Sequence, residues 1–153
     1  MGMVDIGKKA VVPRTAVAEG RIMLKESTIR KIEEKSIRKG DVLHAAELSS
    51  LNAVKKTPEL LFHCHPIPID SAEAELRIEK DHILARCTVK AQAKTGVEME
   101  ALQGVSSALL TVWDMVKYLE KADGQYQDTR ITDIRVIKKT KGDDYGVSQH
   151  KRA

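Results

Sequence analysis

Ala72-Glu73-Ala74-Glu75-Leu76-Arg77-Ile78-Glu79-Lys80-Asp81-His82-Ile83-Leu84-Ala85-Arg86-Cys87-Thr88-Val89-Lys90-Ala91 is the stretch that decides the fold. On its first arm Ala72, Ala74, Leu76 and Ile78 alternate with Glu73, Glu75, Arg77 and Glu79. On its second, Ile83, Ala85, Cys87, Val89 and Ala91 alternate with mostly polar neighbours, after a turn at Lys80-Asp81-His82. Side chains on a strand point to opposite faces in turn. Period two on both arms therefore predicts an antiparallel hairpin with one buried and one solvated face.

Outward from that hairpin, 15–24 reads as a first strand and 26–35 as a short helix with Ile29 and Ile32 inward. Gly40-Asp41 opens a second helix running to about Lys56, with Asp41 as N-cap; Pro58 and the Pro66/Pro68 pair break the chain after it. A long helix spans about 97–121 and ends at Gly124, and 131–139 is the last strand. This order is that of a ferredoxin-like α+β sandwich, an antiparallel sheet with helices on one face, with one additional helix. One domain over 1–153 is expected, with 1–13 and 141–153 flexible.

The composition is that of a soluble globular chain: 153 residues, 42% hydrophobic and 31% charged. Aromatic residues make up 3%, too few for the stacking platforms of single-strand nucleic-acid binders. The net charge of +4 suits an anionic partner, a phosphorylated metabolite as well as a polyanion, although part of it collects between Arg135 and Arg152, where a solvated tail would also explain it. No apolar run is long enough to span a membrane. Cys64 and Cys87 are too few for a disulfide framework, so a cytoplasmic protein with free thiols is expected.

Within the long helix one narrow row is polar: Glu100, Gln103, Ser107, Thr111, Asp114, Lys117 and Lys121 at spacings of three or four. Its short, uncharged middle suggests a slot with an acid and a base at one end, or an ordinary ion pair on an exposed stripe. Thr95 and Glu98 have the spacing of a capping box, which would leave Glu100 without a structural duty. Lys39-Gly40 before a helix start is a place receptive to phosphate. The same pattern fits a solvated lysine beside a flexible glycine, and Lys55-Lys56 at the end of that helix would pair with its negative terminus. In an extended segment His63 and His65 would face one way, but no third metal ligand has a recognisable spacing, and a histidine that hydrogen-bonds substrate ranks above a metal site.

The segments Met3-Val4-Asp5-Ile6, Lys39-Gly40-Asp41-Val42, Lys55-Lys56-Thr57, Cys64-His65-Pro66, Lys94-Thr95-Gly96-Val97-Glu98-Met99-Glu100-Ala101-Leu102 and Asp114-Met115-Val116-Lys117 follow one another in this order. Together they resemble the cyclic pyranopterin monophosphate synthase family of molybdenum cofactor biosynthesis, over about residues 3–139. The resemblance implies a ferredoxin-like fold and a homohexamer built as a trimer of dimers with active sites at a subunit interface. It implies a lyase that converts a cyclised guanosine triphosphate, (8S)-3′,8-cyclo-7,8-dihydroguanosine 5′-triphosphate, to cyclic pyranopterin monophosphate and pyrophosphate. By the same resemblance Lys117 is the general acid/base, Asp114 its partner and Lys39 a second essential lysine. His65, Cys64, Glu98, Met99, Glu100 and Lys55 would bind substrate. A lysine with a depressed pKa would suit this chemistry; Asp114 alone would raise the Lys117 pKa, and a nearby Lys39 would oppose the rise.

No cofactor is required by the sequence, no resident metal site is expected, and neither nucleic acid nor a membrane is expected as partner; Mg2+ accompanying the triphosphate fits its hard oxygen donors. The chain departs from the family at Asp143, where the closing glycine-rich loop usually carries a lysine, at Phe62-His63, and at Trp113 in place of a tyrosine. A metal-dependent phosphohydrolase built on His63, His65 and Glu98 or Glu100 lacks a third spaced ligand. A nucleic-acid-binding module lacks the aromatic platform.

Overall fold

The computed structural model describes residues 1–142; the expectations for Asp143 and for the rest of the C-terminal tail lie outside the described residues. Strand β1 (Val12–Met23) is followed by helices α1 (Glu26–Glu33) and α2 (Val42–Leu60), the hairpin β2 (Ser71–Ile78) and β3 (His82–Ala93), and helix α3 (Glu98–Glu120). A small hairpin, β4 (Lys121–Ala122) and β5 (Gln125–Tyr126), leads to the long strand β6 (Arg130–Lys141). The four long strands lie in the order β2-β3-β1-β6, all antiparallel. With α2 and α3 against the sheet, this is the ferredoxin-like α+β arrangement.

The alternation in the hairpin gives the two faces it predicts. Ile83, Ala85, Cys87, Val89 and Ala91 of β3 are buried, and so are Ala16, Ala18 and Ile22 of β1. The other face carries the Arg86–Glu19 and Arg77–Glu75 ion pairs. Against the buried face α3 lays Ala101, Val105, Ala108, Leu109, Val112 and Val116. Small residues let the layers close up. A Cβ on Gly104 of α3 would lie 2.6 Å from Cys87 Sγ of β3, 2.9 Å from Ser50 Oγ of α2 and 3.0 Å from Val54 Cγ2. Three elements meet at that backbone atom. Gly20 plays the same part in β1, where a Cβ would fall within 2.9 Å of Val105, Ile134 and Leu109.

Several boundaries differ from those read in the sequence, each for a local reason. Helix α2 runs through Pro58 to Leu60, because buried Ala53, Val54 and Thr57 hold that turn in the core and Thr57 Oγ1 donates to Ala53 O at 3.0 Å. Lys55 and Lys56 therefore lie inside the helix rather than at its end. Helix α3 has Val97 as N-cap with no side-chain cap; Thr95 does not cap it, because the helix starts two residues later, on the buried Val97. At its other end α3 stops at Glu120. Asp123 (φ 49°) and Gly124 (φ 75°) form the turn of the β4–β5 hairpin, whose two left-handed residues match a type I′ turn. Val12, Pro13 and Lys141, expected in flexible ends, belong to β1 and β6.

Glu120 closes the layer. It is buried, and its carboxylate accepts from Thr28 Oγ1 and Thr129 Oγ1, each at 2.5 Å, and from Lys25 N–H at 3.3 Å. Helix α1 has no side-chain cap of its own. The last residue of α3 supplies one and at the same time binds the residue before β6.

Gly104→Ala separates two opposed effects. Alanine favours a helix over glycine by about 1 kcal/mol, whereas overpacking a junction this tight costs about 1–3 kcal/mol. A net loss of stability is expected, read as a lower urea midpoint with an unchanged slope.

Candidate active site

Asp114 is the centre of the charged cluster at the C-terminal end of α3. Its Oδ1 accepts from Lys117 Nζ at 2.7 Å and its Oδ2 from Lys39 Nζ at 2.7 Å; the Lys39 ammonium also donates to the Asp114 backbone carbonyl at 2.9 Å. The three residues assigned catalytic roles by resemblance thus meet within one chain. Lys39 arrives from the loop between α1 and α2. At the helix start beside it Asp41 caps α2 as expected, its Oδ1 accepting from His44 N–H at 3.1 Å, and the Lys39 ammonium is directed to α3.

The two ammonium groups hold the Asp114 carboxyl down at about 2, from an ordinary 3.8, with the Lys117 bond the larger cause and the Lys39 bond next. Lys117 moves the opposite way from the depressed lysine that was expected. Its bond to Asp114 and the charge of that carboxylate raise its pKa above 10.5. Lys39 occupies the other oxygen of the same carboxylate, and the direct contact of Asp114 with Lys117 prevails. At neutral pH Lys117 is an ammonium ion and a proton donor.

The polar row is not an open slot. Ser107 Oγ lies 2.7 Å from Ser49 Oγ of α2, and Thr111 Oγ1 donates to Ser107 O at 2.8 Å, so the middle of the row is packing against α2. Only its ends are chemical.

At the other end of α3, a cavity of about 140 Å3 is bordered by His63, Cys64, His65, Thr95, Met99 and Glu100. The chain turns at Leu61–Cys64 rather than running extended, with Cys64 N–H on Leu61 O at 2.8 Å, yet both histidines border this cavity. Glu100 is 3% exposed. Burial, reinforced by the charge of Glu98, raises its carboxyl pKa against the pull of its own backbone N–H. Burial also raises the Cys64 thiol. Glu98 behaves differently: burial pushes it up, but the Lys139 ammonium, 2.5 Å away, prevails and lowers it. Gly96 leaves room for that carboxylate, since a Cβ there would lie 1.9 Å from Glu98 Oε2. Lys55 is exposed on α2 and borders none of these cavities.

Beside Glu98 lies a basic cavity of about 420 Å3 ringed by Lys9, Arg14, Lys94 and Lys141. Arg14 and Lys141 are direct cross-strand partners in the β1–β6 register. Like charges placed opposite one another are unfavourable unless an anion lies between. Arg14 and Lys9 were not singled out in the sequence; the pairing of β1 with both β3 and β6 sets Arg14 near Lys94 and Lys141. Among the described residues no three His, Cys, Asp or Glu side chains cluster so as to hold a metal ion, and no helix is long and apolar enough to cross a membrane.

Glu100 and Lys117 are 17 residues apart on one helix, about 25 Å at 1.5 Å per residue. The structure brings Lys39, Asp114 and Lys117 together, and separately Cys64, His65, Met99 and Glu100, with the Glu98 carboxylate turned to Lys139. It does not bring the two groups together within one chain.

The Asp114 carboxyl should titrate near 2 rather than 3.8 in a carbon-13 pH series. Its folded pKa is the lowered one, so the bridge is intact above 3.8 and is lost as pH falls through about 2. Lys39→Ala should move the midpoint upward; titration near 3.8 in the unsubstituted protein would mean that the bridge does not form in solution.

A family model described as the MoaC family matches residues 3–142. Among curated relatives, a protein of Methanothermobacter thermautotrophicus named probable cyclic pyranopterin monophosphate synthase accessory protein is 56% identical over 140 residues, covering 91% of this chain and 88% of its own. Proteins of Thermococcus kodakarensis and Archaeoglobus fulgidus, both named probable cyclic pyranopterin monophosphate synthase, are 54% and 56% identical. The first alignment covers 93% of this chain and 92% of the relative, the second 92% and 90%. With identity above half along nearly the whole chain, this protein belongs to the MoaC family.

Proposed function

We propose that the protein is a lyase that converts (8S)-3′,8-cyclo-7,8-dihydroguanosine 5′-triphosphate to cyclic pyranopterin monophosphate with release of pyrophosphate, a step in molybdenum cofactor biosynthesis. The observation that carries this reading is the Lys39–Asp114–Lys117 bridge in a chain whose relatives are named for that synthase.

The reaction opens a ring of the guanine part, moves protons between nitrogen and carbon, and closes a cyclic phosphate. Lys117, charged at neutral pH, donates the first proton, and Asp114, a carboxylate throughout the working range, holds it in place. Once substrate draws Asp114 away, the lysine pKa falls and Lys117 accepts the proton back. Glu100 in its protonated form offers a hydrogen bond to a carbonyl or ring nitrogen of the purine-derived part, with His65, Cys64 and Met99 as walls. In the last stage a substrate hydroxyl oxygen bonds to the α-phosphorus, its proton passes to a base, and the bond to pyrophosphate breaks. The cations of the basic cavity suit the charge that develops on that leaving group.

The 25 Å between the two groups on α3 supports a site completed by a second copy, with the lysine pair from one subunit and the Glu100 cavity from another. A homohexamer arranged as a trimer of dimers meets that requirement. It would also cover Leu48, Leu110 and Ile137, which are exposed in the single chain. Lys55, which is exposed and borders neither cavity, would reach substrate across such an interface.

Purified protein incubated with the cyclised triphosphate should release pyrophosphate and form the cyclic phosphate product together. Lys117→Ala should keep its fold and assembly and lose about 10²–10⁴-fold in turnover. Retained turnover in assembled Lys117→Ala would remove Lys117 from the reaction. Phosphate release without the pterin would identify a hydrolase. A correctly assembled protein without turnover would match the accessory role in the name of the Methanothermobacter relative.

Glu100→Gln tests the protonated carboxyl. Folding favours the acid form of Glu100, so its contribution to stability is full below 4.5 and declines as pH rises toward the raised folded pKa. The glutamine variant should remove that decline, melting higher than the unsubstituted protein at pH 8 and equally at pH 4, and it should keep substrate affinity. Loss of affinity with the amide in place would show that the charged carboxylate is needed.

A further inference from the structure

We propose that Tyr118 is a positioning residue for Lys39: its hydroxyl accepts the Arg38 N–H and holds the α1–α2 loop where Lys39 reaches Asp114. This rests on the catalytic reading of the Lys39–Asp114–Lys117 bridge and adds a residue to it.

The loop of residues 34–41 is short and bent. Lys35 has φ 53° and Gly40 φ 112°, and Gly40 N–H returns to Ile37 O at 3.0 Å. Ile37 is 6% exposed and anchors the loop in the core, but Arg38, Lys39 and Gly40 beyond it are exposed. The Lys35–Asp41 ion pair that spans the loop is 3.7 Å long between exposed side chains and holds little. What fixes the exposed part is α3. Tyr118 Oη lies 3.2 Å from Arg38 N, and Asp114 binds the Lys39 ammonium. Asp114 and Tyr118 are four residues apart, so they share one face of the helix one turn from each other. The residues they hold, 38 and 39, are adjacent in the loop. Two contacts one helical turn apart thus fix both the backbone and the side chain of the lysine-bearing segment.

Tyr118 is 43% exposed. Its hydroxyl bond lies at the surface of the helix, outside the core, so removing the oxygen leaves the core packing alone. Without that bond, the flexible lysine side chain would search a wider volume, and the Asp114 carboxylate would keep only Lys117 as a steady partner. Small displacements of a catalytic group have large effects on rate.

Tyr118→Phe keeps the ring and deletes the acceptor. Two readouts decide the matter. The Asp114 carboxyl titration, which needs no substrate, should move upward from about 2, in the direction of Lys39→Ala. Turnover should fall by about 10- to 100-fold, and Tyr118→Phe added to Lys39→Ala should cost nothing further, because the tyrosine acts through the lysine. An unchanged titration overturns the proposal, as does an unchanged turnover, or a loss that simply adds to that of Lys39→Ala. If the unsubstituted protein has no turnover at all, the catalytic reading fails, and with it the role of Tyr118 in catalysis; the titration then still reports whether the tyrosine holds the lysine.

Discussion

The closeness of α3 to the sheet and to α2 is the constraint on which the rest depends. It exists because Gly104 and Gly20 present no Cβ at the two points of nearest approach, where one would meet atoms 2.6–3.0 Å away. Interiors packed to crystal-like density do not absorb an additional methyl group freely. With the helix seated at this depth, its first turn faces the Cys64–His65 segment and its last turn faces the α1–α2 loop. Both ends of α3 are chemically equipped, and its middle is packing. The helix is a rigid spacer, and its length sets the distance between the acidic cavity and the lysine pair.

Electrostatics at the two ends run in opposite directions, by design of their surroundings. At the exposed end a carboxylate between two ammonium groups is kept charged well into acid. At the buried end burial raises the pKa of a carboxyl, and the neighbouring Glu98 charge adds to the rise. Two acidic side chains of one helix are therefore shifted in opposite directions, a division that burial and neighbours alone produce. Glu98, two residues before Glu100, is on the charged side of that division because Lys139 of β6 reaches it.

The hairpin and the long helix were legible in the sequence because each repeats its period for many residues, and the order of elements followed from them. Boundaries were less so. Pro58 marks a helix end by rule, yet buried Val54 and Thr57 carry α2 past it. Thr95 and Glu98 have the spacing of a capping box, but Lys139, 41 positions away, takes the carboxylate. Glu120 looks like any terminal glutamate of a helix; its partners Thr28 and Thr129 are visible only after folding. In the site, the i, i+3 pair of Asp114 and Lys117 was apparent from helical spacing, and the remaining members came from resemblance. The crossing of Lys39 to Asp114 joins residues 75 apart. No local pattern could announce it, whereas the rise in the Lys117 pKa comes from the local partner Asp114.

The strand order has a consequence for how the chain is made. β1 is the second strand from the sheet edge and pairs on one side with β3, from Val12 opposite Ala93, and on the other with β6, from Arg14 opposite Lys141. Of the strands of this sheet, the one that leaves a ribosome before the others is thus the last to be completed. At about 5–20 residues per second, roughly 6–25 s separate synthesis of Arg14 from that of its partner in β6. Until then β1 offers an open hydrogen-bonding edge to any other extended chain nearby. Nascent copies of this protein therefore stay open to mispairing until β6 is made, and slower elongation between β3 and β6 lengthens that exposure.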